Sequence, residues 1–174
     1  PPSPRTSPTR SAFRFSARGA RAARRRAPRC ARDAWRRYIN ALQLDQNHPG
    51  ILGVGYAVWL KKEDVAGNIR KIRSEGFPEY VIKPPGDRPV YTSIVYLEPF
   101  TWRNERAFGY DMYSEANRRA AMDKARNEGI TTIASRIILV QETEKDKQIG
   151  LLMYVPVYRM GLPVDTVEQR QAAL

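Results

Sequence analysis

Histidine and cysteine, which often act as catalytic bases, nucleophiles or metal ligands, occur only once each in this sequence. His48 is the only histidine and lies in the turn Asn47-His48-Pro49-Gly50, so a Ser-His-Asp or Cys-His mechanism would depend on this one base. Cys30 is the only cysteine, which excludes an intramolecular disulfide and leaves a zinc site without a second thiol. No phosphate loop, kinase signature or nucleophile elbow is present. We expect no catalytic residue, no metal site and no cofactor in this segment.

Clustered carboxylates have simpler explanations than catalysis. Glu142, Glu144 and Asp146 are interleaved with lysines between two predicted strands, which is typical of a solvated turn. Glu63-Asp64 begins a predicted helix, where acids stabilise the first turn. Neither group predicts an enzyme.

Asp111 is an acid with mainly apolar and aromatic neighbours in the sequence. Asp111 lies in Phe108-Gly109-Tyr110-Asp111-Met112-Tyr113-Ser114, among large apolar and aromatic residues just before a predicted helix. A buried carboxylate is costly unless it is paired. Two interpretations stay open: Asp111 caps the helix through its free amides, or it points into an apolar pocket and anchors a donor group of a ligand.

The first part of the chain splits into a tail and a helix. Residues 1–29 are rich in Pro, Ser, Ala and Arg and are predicted to be disordered, because they cannot bury enough surface to offset chain entropy. Residues 30–46 are predicted to form an amphipathic helix that stops before Pro49. Its apolar face is spaced by four, three and four residues, at Ala31, Trp35, Tyr38 and Leu42.

The body of the chain alternates strands with two helices. Ser114 is predicted to cap the helix 115–128, which Gly129 ends, and Gly76 ends the helix 61–75. Two long strands then form an antiparallel hairpin, and adjacent strands of this kind favour an antiparallel sheet and an α+β fold. The predicted strands are Ile51–Leu60, a short edge strand Glu79–Lys83, Val90–Leu97, Thr131–Gln141 and Ile149–Tyr158, and a last helical stretch is Thr166–Ala173.

The net charge of +12 is concentrated in the tail. Residues 1–30 hold nine Arg and no acid, while the other 144 residues hold 21 Lys or Arg and 18 Asp or Glu. A nucleic-acid arm, an Arg-rich transit peptide and a reading-frame artefact are all open interpretations of the tail. The longest apolar stretch, Ile51–Leu60, is about half the length that a membrane helix needs, so no membrane span is expected in this segment.

Seven short blocks, spread over about 110 residues, carry a resemblance to a known family. The blocks are Pro49-Gly50-Ile51, Gly53-Val54-Gly55-Tyr56-Ala57, Tyr96-Leu97-Glu98-Pro99, Gly109-Tyr110-Asp111-Met112, Arg118-Arg119-Ala120-Ala121-Met122, Leu139-Val140-Gln141-Glu142 and Tyr154-Val155-Pro156-Val157-Tyr158-Arg159. In this order and spacing they make residues 47–160 resemble the CHASE domain, the extracytoplasmic sensor of membrane-bound histidine kinases and nucleotide cyclases.

The resemblance implies a long N-terminal helix followed by a PAS-like antiparallel sheet with flanking helices. On that basis 47–160 is the PAS-like ligand-binding subdomain and 161–174 begins a truncated membrane-proximal part. The chain would be a periplasmic or extracellular sensor without enzymatic activity, in a parent that is a histidine kinase or a diguanylate or adenylate cyclase of bacterial type. Its expected partners are a small molecule, a second copy in a homodimer, and the membrane through flanking helices absent from this chain.

The resemblance also assigns ligand contacts. In plant cytokinin receptors an aspartate of the matching motif hydrogen-bonds the adenine of the hormone, and Asp111 stands at that position. Ala134 and Tyr154 stand where those receptors carry threonine, and the bulk of Tyr154 should reshape the cavity and disfavour a cytokinin. The full predicted ligand-binding set is Tyr96, Tyr110, Asp111, Met112, Ala134, Val140 and Tyr154.

Two other functions remain as alternatives to the sensor. The Arg-rich tail could make the chain a nucleic-acid-binding protein, although a nearly balanced body predicts no nucleic-acid partner. A periplasmic scaffold without a small ligand would use Asp111 only as a cap.

Overall fold

The computed structural model describes residues 27–138 and 149–174. These residues form six α-helices and four strands, with 3₁₀ turns at Lys62–Asp64 and Met112–Ser114. Residues 1–26 of the predicted tail and the predicted loop 142–147 lie outside the described residues. The elements are α1 Ala27–Ala41, α2 Leu44–Asn47, β1 Val54–Lys61, α3 Val65–Ser74, β2 Val90–Glu98, α4 Trp102–Glu105, α5 Ala116–Glu128, β3 Thr132–Ile138, β4 Ile149–Tyr154 and α6 Val167–Ala173.

The strands form antiparallel pairs, which confirms the α+β class. β1 pairs with β2 and β3 with β4, so the four described strands make two sheets of two strands each. Helices flank both sheets: α1 contacts β2, and α5 contacts β3, β4 and α6.

A β-bulge in β2 decides which side chains face which part of the core. Tyr56 pairs with Tyr96 and Ala57 with Ile94, so Val95 has no partner in the register. Because of this extra residue, Val95 and Tyr96 pack into one core cluster while Ile94 and Leu97 pack into another. β2 therefore has core on both of its faces.

The core has an aromatic part and a part between the two sheets. The aromatic cluster is formed by Ile72, Tyr80, Val95 and Phe108. We call the second part the seam, because it joins β2 to the β3–β4 sheet. Its members are Ile94, Leu97, Ala107, Met112, Ala134 and Ile137, with Tyr110, Ala121, Met122, Leu152 and Tyr154 packed against them.

Several predicted helix ends hold, and two predictions at helix ends are wrong. Gly129, with a φ of 70°, ends α5, and Thr166 caps α6 in a capping box with Gln169. The cap of α5, however, is Glu115, whose side chain accepts from the amides of the first turn, while the Ser114 hydroxyl donates to the carbonyl of Asp111. The predicted helix 30–46 begins earlier, at Ala27, and breaks after Ala41, because Gln43 takes a left-handed conformation with a φ of 47°.

The predicted edge strand Glu79–Lys83 does not form. Only Lys83 makes a bridge, to Tyr110, and two prolines follow it. The segment begins in a turn, in which the amide of Tyr80 donates to the carbonyl of Phe77, and Pro84 and Pro85, which have no amide hydrogen, stop pairing beyond Lys83. None of the described helices combines the length and hydropathy that crossing a bilayer requires.

Candidate functional site

Gly109 allows the segment that carries Asp111 to enter the core. The φ of Gly109 is 80°, and a Cβ there would lie 2.2 Å from the carbonyl oxygen of Val81. Only glycine fits this approach. The segment is then held on both sides, because Gly109 donates to Ile94 of β2 and the amide of Asp111 donates to Lys83.

Asp111 is fully buried, with 0 % of its surface exposed, and protein donors occupy both carboxylate oxygens. Oδ2 accepts from Nε of Arg88 at 2.9 Å, and Oδ1 accepts from the amide of Thr92 at 2.8 Å. Oδ1 also accepts from the amide of Tyr113 at 3.1 Å, which caps the 3₁₀ turn 112–114 and not α5. The role of Asp111 as a ligand anchor stays a prediction.

Four residues of the predicted ligand-binding set come together at the seam. Tyr110 and Met112 enter from the segment after α4, while Ala134 enters from β3 and Tyr154 from the end of β4. Tyr154 packs both against the cluster of Ile94 and Met112 and against the pair Ala134 and Ile137, so it lies at the centre of the seam. The predicted contacts therefore converge although they come from three separate places in the chain.

Two members of the predicted set are not at the seam. Tyr96 faces the other side of β2, where its ring stacks on Tyr56 at 5.9 Å and lies 6.2 Å from Trp35 of α1. The bulge at Val95 turns it there. Val140 lies outside the described residues.

Arg118 is a seam residue that the predicted set omitted, although it belongs to one of the seven blocks. Its side chain is 4 % exposed, and its guanidinium lies 5.1 Å from the centre of the Tyr110 ring. One terminal nitrogen donates to the carbonyl of Ile138 at 3.0 Å, and the other lies 3.3 Å from the sulfur of Met112. An arginine in the first turn of a helix rich in charged residues gave no sequence signal that it is buried.

The hydroxyl of Tyr154 has no hydrogen-bond partner among the described residues, although it is buried. Burial raises the pKa of the Tyr154 phenol well above its usual range, and the Arg118 guanidinium beside it acts against that rise. A buried hydroxyl without a hydrogen-bond acceptor is uncommon, and the Arg118 guanidinium beside it can only donate.

Helix α1 is fixed to the opposite face of β2 by buried charge. Arg32 donates to the carbonyl of Val95 at 2.8 Å and pairs with Glu75 at 3.2 Å. The guanidinium also lies 4.4 Å from the centre of the Phe77 ring and 4.8 Å from that of Tyr96. β2 thus contacts the seam on one face and α1 on the other.

Two cavities, each of about 350 Å³, lie away from the seam. One opens beside Tyr80 and Phe108, with Lys83, Glu79 and Glu105 at its walls. Burial lowers the pKa of the Lys83 amine, and nearby Arg106 adds to that effect. The other is an apolar groove between α1 and the β1–β2 sheet, lined by Ala31, Ala34, Trp35, Tyr38, Tyr56, Tyr96 and Val157.

The family model described as the CHASE domain matches residues 28–174. The match confirms the resemblance seen over 47–160 and extends it over α1 and α6. No curated protein matches the chain.

Proposed function

We propose that this chain, which belongs to the CHASE domain family, binds a small molecule at the seam and passes the resulting movement to α1. CHASE domains are extracellular sensor modules of signalling receptors and are not catalytic. The proposal adds where the ligand binds and how the movement that it causes is transmitted out of the domain. The parent protein would be a membrane-bound histidine kinase or a diguanylate or adenylate cyclase.

The convergence of four predicted contacts at the seam is the observation that carries the binding site. Tyr110, Met112, Ala134 and Tyr154 meet there with Arg118, so the region joins apolar side chains to a few polar groups. Sites for small molecules have this composition, and because the two cavities described above lie elsewhere, the seam would have to open to admit a ligand. Met112 is an adaptable side chain that can move to admit a ligand at small cost.

The route to α1 is a chain of direct contacts through β2. Ile94 packs in the seam, and the next residue, Val95, accepts the hydrogen bond from Arg32 of α1. A ligand that binds one arrangement of the seam better than another shifts the equilibrium between them by its difference in affinity. Because β2 links both sites, α1 would move with it.

A homodimer through α1 is part of the same proposal. Tyr38 lies in the last turn of α1 and Leu42 in the turn that follows it, with 61 % and 37 % of their surfaces exposed. Exposed apolar side chains at a helix end suit a partner helix. Sedimentation velocity of the wild type and of the Tyr38→Glu variant tests it, and the variant should be monomeric at concentrations where the wild type associates.

A thermal-shift screen with a blocked seam tests the binding site. Purines, amino acids and small carboxylates would be screened against the wild type and against Ala134→Leu, which adds bulk where Ala134 packs against Tyr154. Ala120→Leu is the matched control, because Ala120 is exposed on α5. The proposal expects compounds that stabilise the wild type and Ala120→Leu but not Ala134→Leu. Equal shifts in both variants would favour a scaffold without a ligand site at the seam.

The nucleic-acid alternative depends on the arginines of the tail, and we propose that the domain itself has no nucleic-acid partner. Binding of an unspecific duplex would be measured for the full chain and for a chain that begins at Ala27, at low and physiological salt. The shorter chain should show no binding at physiological salt. Binding that survives the deletion would contradict the proposal.

A further inference from the structure

We infer that the seam receives a small molecule that carries a carboxylate, and that the guanidinium of Arg118 and the hydroxyl of Tyr154 bind this group. The inference rests on the proposed function and adds the chemical class of the ligand. It depends on the charge balance of one buried arginine.

Arg118 lacks a full counter-charge within the described residues. Its ion-pair partner is Glu115, at 3.6 Å from Nε, and the side chain of Glu115 is 36 % exposed. Both oxygens of Glu115 already accept hydrogen bonds from backbone amides at the start of α5, those of Asn117 and Arg118. This carboxylate is therefore shared with the helix end and with solvent, while a buried cation needs a close and desolvated partner.

The hydrogen bonds of Arg118 are also incomplete. A guanidinium has five N–H donors, and here one terminal nitrogen has a carbonyl acceptor while the other has only the sulfur of Met112, which is a weak acceptor. Nε has no hydrogen-bond partner among the described residues, which is equally true of Nε of Arg32, so what distinguishes Arg118 is its weak sulfur acceptor and its counter-charge. A carboxylate that replaces the sulfur of Met112 would exchange a weak acceptor for a strong, charged one.

Arg32 shows what a buried arginine looks like when its role is structural. It pairs with Glu75 at 3.2 Å, and the Glu75 side chain is 2 % exposed. It also donates to Val95 and lies against aromatic rings. Asp111 is likewise balanced, by Arg88. Among these three buried charges, Arg118 is the one whose balance is left to a half-solvated partner.

The groups around Arg118 favour a monoanion with an apolar body. The Tyr154 hydroxyl adds a second donor beside the guanidinium, and a planar carboxylate matches the planar fork of an arginine. A phosphate dianion would bring two charges to one cation in an apolar site, which costs more desolvation than a carboxylate. The rest of the ligand would lie against Met112 and Ala134.

Calorimetry with matched acid and amide pairs tests the inference. The probes are benzoate with benzamide and butyrate with butyramide, added to the full chain. We expect the acids to bind the wild type and the amides not to bind. Arg118→Met should weaken acid binding by roughly 10- to 100-fold, as expected for hydrogen bonds to a charged group, and Tyr154→Phe by roughly fivefold. Arg119→Met is the charge-matched control, since Arg119 is exposed on the same helix, and it should stay within about twofold of the wild type.

Arg118→Lys covers the case in which Arg118→Met does not fold. It keeps the charge but loses the fork, so it should fold and still bind the acids roughly tenfold more weakly. The inference is overturned if no acid binds the wild type, if amides bind as well as acids, or if the Arg118 and Arg119 variants bind the acids alike.

The two proposals fail in different ways. If a neutral or cationic compound binds the wild type but not Ala134→Leu, while no carboxylate binds, the carboxylate inference is wrong and the seam remains the ligand site. If Ala134→Leu and Ala120→Leu respond alike to every compound, the seam is not the site and both proposals are wrong.

Discussion

The carboxylate of Asp111 accepts a hydrogen bond of 2.9 Å from Nε of Arg88, which lies 23 positions earlier in the sequence. The side chain of Asp111 is not exposed to solvent. This pair joins the loop before β2 to the segment after α4, on which Tyr110 and Met112 reach the seam. Asp111 therefore holds the segment that carries Tyr110 and Met112 in place, whether or not it contacts a ligand.

Asp111→Asn should destabilise the domain by about 3 kcal/mol, because it leaves Arg88 without its buried counter-charge. Urea unfolding followed by tryptophan fluorescence measures the change. Asp87→Asn is the control, since the Lys62–Asp87 pair is exposed and its loss should leave the free energy of unfolding nearly unchanged. Equal effects of the two substitutions would contradict the structural role of Asp111.

Arg32→Ala should loosen α1. The substitution leaves Glu75 buried without a cation and removes the hydrogen bond to Val95, so we expect a loss of about 3 kcal/mol and faster hydrogen exchange in α1. Arg37 is exposed on the same helix, and Arg37→Ala should leave the exchange of α1 unchanged. The docking described for α1 is wrong if both variants exchange alike.

Gly109→Ala should cost more than about 2 kcal/mol or prevent folding, because the new Cβ meets the carbonyl of Val81 at 2.2 Å and the φ is positive. Gly67 offers the opposite case. It lies inside α3 with nothing within 4 Å of an added Cβ, so Gly67→Ala should stabilise the domain by about 0.5–1 kcal/mol. Thermal unfolding of both variants checks the pair, and a tolerated Gly109→Ala would contradict the close approach.

Tyr113 should give the domain a stability that is lost at alkaline pH. Burial and the hydrogen bond to Asp123, at 2.6 Å, raise the pKa of the Tyr113 phenol from 10.0 to about 12. A raised folded-state pKa contributes stability that is complete below pH 10.0 and disappears as the pH rises through about 12. In thermal unfolding at a series of pH values, the melting temperature of the wild type should exceed that of Tyr113→Phe at neutral pH. The difference between the two melting temperatures should vanish as the pH rises through this window. A difference that does not change with pH would contradict the assignment.

Local signals made the longer helices of this fold predictable, but not the short helix α4 or the break after Ala41. The left-handed Gly129 ends α5 where its sequence indicated, and Thr166 with Gln169 forms a capping box that can be seen in the sequence before α6. The cap of α5 was predicted one residue too early. The Ser114 hydroxyl donates to the carbonyl of Asp111, three residues before it, and the Glu115 side chain accepts from the first amides of the helix instead.

The site was only partly predictable, because its contacts join residues that are far apart in the sequence. Asp111 stood out because an acid among aromatic residues needs a partner, but nothing in the sequence identifies Arg88 as that partner. The position of Tyr96 depends on the bulge at Val95, which no residue type announces. Arg118 was hidden because a charged residue on a polar helix is expected to face solvent, and only the packing of the two sheets shows that it does not.

Hydrogen exchange of α1 tests the central claim most directly. Exchange would be followed in the full chain with and without a saturating amount of a compound that stabilises the wild type but not Ala134→Leu. The account predicts that protection changes at the seam strands and in α1 together, and that Arg32→Ala keeps the change at the seam but loses it in α1. Protection that changes at the seam while α1 of the wild type is unaffected would contradict the account.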